Sequence, residues 1–257
     1  MGGKYFLSKA ISETMHSYVT PDMVDGYLEP FCGALSVLQK MNQYDYKCIA
    51  TDYHPDLIQL WKEIRDDTFV IPVDMDEETY HDIKQYKSPS ALKAFAGFGL
   101  SFGGKFFSGY ADKYKNGKKE NYLKEITNSM IRKKDTLEGV TFECCSYDTH
   151  TPHNTLIYCD PPYQVTKFPI KYRTSTKDYD IFDNERFWEV MRDWSKDNYV
   201  FISETSAPKD FVCVWSKKTH RSVSQSDKTR YKSESDSFAV ESLYVHESLH
   251  SRMKKPM

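Results

Sequence analysis

Apolar positions near the amino terminus follow a helical rhythm. From Ser8 to Val19 they recur at Ala10, Ile11, Met15, Tyr18 and Val19, a period of about 3.6 residues, and Thr20-Pro21 ends the run. Gly26 to Phe31 then reads as a strand running into CGAL, with Leu35 to Met41 as the following helix. Lys47 to Thr51 is a second strand closed by Asp52, and Pro55 to Asp66 a second amphipathic helix carrying Leu57, Ile58, Leu60, Trp61 and Ile64. Strand, turn, helix repeated in this order predicts a parallel sheet covered by helices.

The alternation breaks from about Val73 to Gly139. Ser88-Pro89-Ser90 resembles an N-cap followed by proline at the first helical position, leading into a short helix through Phe95. A glycine and aromatic stretch follows, then a helix with Leu123, Ile126 and Met130 on one face. Alternation resumes with strands at Val140 to Cys144 and Thr155 to Cys159, a helix at Asn184 to Trp194, and strands at Tyr199 to Ser203, Phe211 to Trp215 and Val240 to Val245. The polar, aperiodic segment from Thr219 to Asp236 is expected to be a long mobile loop. The pattern predicts one α/β domain, residues 1–72 and 140–257, interrupted by an insertion at 73–139.

Composition changes this picture little. A length of 257 residues suits one large α/β domain, and a net charge of −2 argues against indiscriminate coating of nucleic acid. Locally, however, Lys105 to Lys134 holds nine Lys or Arg against three acids, the strongest positive run in the chain. It reads either as a solvated face or as a phosphate-contacting one. None of the six cysteines forms a C-x-x-C pair, which predicts free thiols, a reducing intracellular compartment and no zinc site. No apolar run reaches the length of a membrane span and MGGKYFL lacks a signal-peptide core, so a soluble protein is expected. Aromatic residues make up 15% of the chain, and their faces suit base stacking as well as cores.

Three stretches carry candidate chemistry. In YLEPFCGALSV (27 to 37) a strand delivers Glu29, Pro30 and Phe31 to its carboxyl end, and Gly33 permits a tight turn with close backbone approach before a helix. A plain βα turn would look the same. Nineteen residues later Asp52 ends the next strand, where an acid can accept ribose hydroxyls or cap a helix. In LIYCDPPY (156 to 163) a hydrophobic strand meets two prolines that cannot extend it. Either this is a rigid turn, or it presents the Asp160 carboxylate and the Pro161 carbonyl to the two hydrogens of an aromatic amine, with Tyr163 stacked on the ring.

Together DPPY at 160 to 163, EPFCG at 29 to 33 and GGK at 2 to 4 resemble the S-adenosylmethionine-dependent amino-group DNA methyltransferases, in the Dam-like, D12-class, N6-adenine branch. The order of parts agrees with that branch's alpha group: GGK, cofactor turn, target-recognition segment, DPPY. TDYHPDLIQLW, ECCSY and KYRTSTKDYDIFDNERFWEVM extend the resemblance over nearly the whole chain, and SFGGKFFSGYA (101 to 111) is similar to a segment of phage and viral adenine methylases. The resemblance implies a Rossmann-like class I methyltransferase sheet with helices on both faces, and double-stranded DNA as substrate. It also implies an intracellular setting and, in some settings, a cognate restriction endonuclease.

Carried over by position, it implies S-adenosyl-L-methionine at Gly3, Lys4, Glu29, Phe31, Gly33, Asp52, Tyr53, Ser146, Tyr147 and Asp160. Asp160, Pro161 and Tyr163 would act on the target adenine, residues 73–139 would serve as the target-recognition segment, and Lys105, Lys113, Lys115, Lys118 and Lys119 would meet DNA. Leu35 stands where the family usually has a second glycine, and Cys145 where it often has a carboxylate. Cytosine N4, an RNA adenine or a protein amide as acceptor, and a non-catalytic DNA-binding relative, are the competing expectations.

Overall fold

A computed structural model describes residues 4–111, 114–115, 118–119, 121–162, 171–173, 179–220 and 238–253. Its strands are β1 (Gly26–Glu29), β2 (Cys48–Asp52), β3 (Tyr114–Lys115), β4 (Lys118–Lys119), β5 (Thr141–Cys144), β6 (Thr155–Cys159), β7 (Lys171–Arg173), β8 (Tyr179–Ile181), β9 (Tyr199–Glu204), β10 (Phe211–His220) and β11 (Phe238–His246). The helices are α1 (Ser8–Tyr18), α2 (Leu38–Met41), α3 (Pro55–Arg65), α4 (Glu77–Lys84), α5 (Ala91–Gly99), α6 (Tyr122–Lys134), α7 (Asn184–Trp194) and α8 (Glu247–Arg252).

Seven strands form one sheet in the order β10-β11-β9-β6-β1-β2-β5. The five from β9 to β5 are mutually parallel, while β11 runs antiparallel to both β9 and β10. The chain builds outward from β1 to β2 and β5, then returns to the other side of β1 as β6. That reversal leaves a crevice beyond the carboxyl ends of β1 and β6, where open α/β sheets bind their ligands. This is the Rossmann-like sheet with helices on both faces expected from the sequence.

Side-chain alternation explains why the sheet is buried on both faces. Tyr27, Leu156, Tyr158 and Phe201 enter one core with α1, α3 and α5, while their neighbours Leu28, Ile157, Cys159, Val200 and Ile202 enter the opposite one. The second core is closed by α7, whose Phe187, Val190, Met191 and Trp194 recur at helical spacing. A parallel strand wrapped this way has to be apolar at nearly every position, as LIYC is.

Between β2 and β5, residues 73–139 add α4, α5, α6 and the β3–β4 hairpin but no strand to the main sheet. Tyr80, Ile83, Phe95, Met130 and Leu137 share one continuous core with Trp61 of α3 and Met15 of α1. Helix α4 is absent from the periodicity reading; its signal is Asp76, whose side chain accepts from the Thr79 amide. The cap of α5 is Ser90 rather than Ser88, and its amide donates to Asp56 Oδ1 at 2.8 Å. Both β10 and β11 exceed their expected lengths, and most of the loop anticipated at 219–236 lies outside the described residues. No helix among the described residues is long and apolar enough to cross a membrane.

Candidate active site

The turn after β1 is held by the end of β2. The Cys32 amide donates to Thr51 O at 3.0 Å, continuing the strand pairing by one step. The Asp52 carboxylate then fixes both sides, accepting the Gly33 amide on Oδ2 and the His54 amide on Oδ1, each at 3.0 Å. Trp61 Nε1 donates to Gly33 O at 2.9 Å. Gly33 has φ +40°, a conformation glycine adopts without penalty. Burial pushes the Asp52 carboxyl up, against the downward pull of the His54, Gly33 and Tyr53 amides.

The N-cap of α3 is His54, so the helix-capping role considered for Asp52 gives way to one that ties two strand ends together. Tyr53 leaves its ring exposed beside this turn. Leu35 has φ 58° and is fully buried, and its amide bonds Cys32 O at 2.7 Å. The left-handed backbone that a second glycine would supply is therefore present with a leucine in it, at a cost of about 1–2 kcal/mol offset by burial of the side chain.

At the end of β6 the catalytic candidate meets the amino terminus. Lys4 accepts the Leu7 and Ser8 amides on its carbonyl at the start of α1, and its ammonium lies 3.1 Å from Asp160 Oδ1 and 3.1 Å from Glu241 Oε2 of β11. Burial, with Glu241 and Glu204 nearby, pushes the Asp160 carboxyl up to about 6, and only Lys4 opposes the shift. The Lys4 ammonium beside it favours the ionised form against that burial. Pro161 is buried and Pro162 half-buried behind it. Glu29 is 2% exposed and accepts the Tyr27 hydroxyl at 2.7 Å. Burial raises its carboxyl well above the usual range, favouring the uncharged form beneath the site.

An aromatic wall completes the crevice. Phe31 packs against Tyr147 with ring centres 5.2 Å apart, and against Phe182 and Phe187 at 5.9 Å each. Ser146 Oγ donates to Asp148 Oδ1 at 2.6 Å in the short turn that presents Tyr147. Burial raises the Tyr147 hydroxyl to about 12, so the ring stays neutral. The Cys145 amide bonds Asp52 O at 3.3 Å, while its thiol turns to His150 Nε2 at 3.4 Å. Cys145 thus contributes backbone, not a carboxylate, next to Asp52.

Gly33 with Asp52, Phe31 with Tyr147, and Lys4 with Asp160 are therefore direct contacts at one end of the sheet. Gly3, Tyr163 and Lys113 lie outside the described residues. Of the remaining basic candidates Lys105 is exposed, and Lys115, Lys118 and Lys119 are described only as backbone in the β3–β4 hairpin.

Glu241, Phe182, Phe187 and His54 are missing from the sequence reading. Glu241 has no local signal, because only the approach of β11 to the amino terminus brings it to Lys4. His54 lies between Phe98 and Phe106, with ring centres 5.0 and 4.3 Å away. Among the described residues neither of its ring nitrogens has a hydrogen-bond partner, and burial lowers its pKa to about 4. Phe106 also packs closely on Gly97 of α5, where a Cβ would come 2.5 Å from the ring.

A family model described as D12 class N6 adenine-specific DNA methyltransferase matches residues 1–94 and 92–251. No curated protein matches the chain.

Proposed function

Since the chain belongs to the D12 class N6 adenine-specific DNA methyltransferase family, we propose that it methylates the N6 amine of a flipped-out adenine at a specific DNA site, with S-adenosyl-L-methionine as donor. The observation that carries this reading is Asp160, paired at 3.1 Å with the Lys4 ammonium at the carboxyl end of β6 and followed by two prolines.

The residues present fit the donor. Phe31 and Tyr147 offer an apolar, neutral wall suited to a purine face, the Asp52 carboxylate sits at a strand end suited to ribose hydroxyls, and Gly33 lets the backbone approach closely. When bound, S-adenosylmethionine supplies an electrophilic methyl on a sulfonium. Gly3, Lys4, Glu29, Tyr53 and Ser146 complete the proposed pocket, Glu29 from beneath through Tyr27.

Adenine's amine is a weak nucleophile because its lone pair is delocalised into the ring. Asp160 and the Pro161 carbonyl accept its two hydrogens, which favours a tetrahedral nitrogen with its lone pair aimed out of the ring plane. These bonds strengthen as the nitrogen becomes positive, so they stabilise the transition state more than the ground state. Lys4 holds one carboxylate oxygen, orients Asp160 and keeps it ionised. Glu241 in turn positions Lys4. No strong base is needed, because the methylated nitrogen loses its proton readily.

This geometry cannot form inside a base stack, so the adenine leaves the duplex at a cost of about a few kcal/mol. Stacking on Tyr163 offsets that cost, as do phosphate contacts from Lys105, Lys113, Lys115, Lys118 and Lys119 in the segment 73–139, read here as the target-recognition segment.

The test is to express the wild type and Asp160→Ala in a methylation-free host and sequence the native DNA. N6-methyladenine in one short motif for the wild type, and none for the variant, is expected. Methylcytosine instead, or unmodified DNA with folded wild-type protein present, would overturn the proposal. Calorimetry with S-adenosylmethionine and DNA separates an enzyme from a non-catalytic relative.

A further inference from the structure

The stretch ECCSYDTH has a second property that adenine methylation does not use. Glu143 and Cys145, two apart at the end of β5, project to the same side, and the short turn after them brings His150 back over both. A carboxylate oxygen, Cys145 Sγ and a ring nitrogen of His150 all lie within 4.8 Å of one another, the only such grouping of three among the described residues. We propose that Glu143, Cys145 and His150 form a binding site for a divalent transition metal of the zinc class, on the wall next to Tyr147.

Distances and donor types support this. Zinc–sulfur and zinc–nitrogen bonds of about 2.3 and 2.0–2.1 Å at a tetrahedral angle separate sulfur from nitrogen by about 3.6 Å. The observed Sγ to Nε2 distance is 3.4 Å. Metal entry therefore needs shifts of tenths of an ångström at the two half-buried donors, while the exposed Glu143 side chain swings in to close the third position. Thiolate, imidazole and carboxylate together select zinc-like ions over magnesium or calcium.

On binding, the Cys145 S–H bond breaks, its proton goes to solvent and the electron pair forms the metal–sulfur bond. Thr51 Oγ1, now 3.0 Å from His150 Nε2, gives up that contact, and water takes the fourth position. The missing C-x-x-C pair, from which the sequence predicts no zinc site, bears on the usual spacing of cysteine-rich sites and not on a mixed Glu-Cys-His one. Cys144 points the other way, with its thiol 3.8 Å from Tyr53 O.

A filled site would brace the corner from which Ser146 and Tyr147 enter the crevice. The experiment uses the chelator-stripped full chain, titrated with Zn²⁺ against a chromophoric chelator and, in parallel, with Co²⁺ to follow thiolate-to-metal charge transfer. One equivalent is expected in the wild type and in Cys144→Ser. The charge-transfer band should vanish in Cys145→Ser, and zinc affinity should fall more than about 100-fold in His150→Ala. Glu143→Gln, at an exposed position where folding is not at stake, should weaken binding about tenfold or more. Failure of the wild type to compete with the chelator overturns the proposal. So does equal binding by wild type and His150→Ala, or by wild type and Glu143→Gln, or a charge-transfer band that survives Cys145→Ser.

Discussion

At the scale of single residues, the proposed active site works by keeping one carboxylate ionised where burial opposes it. Asp160 has its pKa pushed up to about 6, chiefly by burial and with Glu241 and Glu204 adding to the shift, and Lys4 limits the rise. The proposed acceptor is the ionised form. Its population falls as pH drops through 6, so kcat/KM should show an acid limb centred near pH 6, declining about tenfold per unit below it. Removing the ammonium in Lys4→Met should move that limb to higher pH while lowering the plateau. An unmoved limb would mean that another group controls it. DPPY was legible in the sequence because prolines end a strand by a local rule. Glu241 was not, since its position beside Lys4 follows from a contact spanning 237 residues.

At the scale of elements, the βα turn shows how far a local rule can be bent. A second glycine is expected there, and Leu35 holds the left-handed backbone because its side chain is fully buried in the core of α1, α2 and α3. Leu35→Gly should relieve about 1 kcal/mol of backbone strain and lose about 3–5 kcal/mol of packing, a net destabilisation of roughly 3 kcal/mol by urea unfolding. A stabilised variant would show that the turn, not the core, sets the energy. Strands β1, β2, β5, β6 and β9 and helices α1, α3 and α7 were readable to within a residue or two, because each carries its own hydrophobic period or apolar run. Helix α4 and the two short hairpins were not. Their two or three paired residues carry no period, and α4 has only Tyr80 and Ile83 buried.

At the scale of the whole molecule, a chain of net charge −2 must meet a polyanion through one local surface. Affinity for DNA should therefore fall steeply with salt, and each of Lys105→Gln, Lys118→Gln and Lys119→Gln should reduce the slope of log affinity against log salt by about one, leaving S-adenosylmethionine binding unchanged. Unaltered slopes would remove these lysines from the interface. The sequence shows residues 73–139 as an interruption, and the packing shows why they are more than that. Phe106 sits on Gly97 and against the ring of His54, whose amide is fixed by the same Asp52 that holds the β1 turn. The target-recognition role proposed for residues 73–139 would make them a natural unit of exchange between related enzymes, and grafting a direct route to changed specificity. Here the graft has no clean seam. A borrowed segment would have to bring an aromatic ring for His54 and a glycine beneath it, so new specificities should arise more readily by changes at the β3–β4 hairpin than by wholesale transplantation.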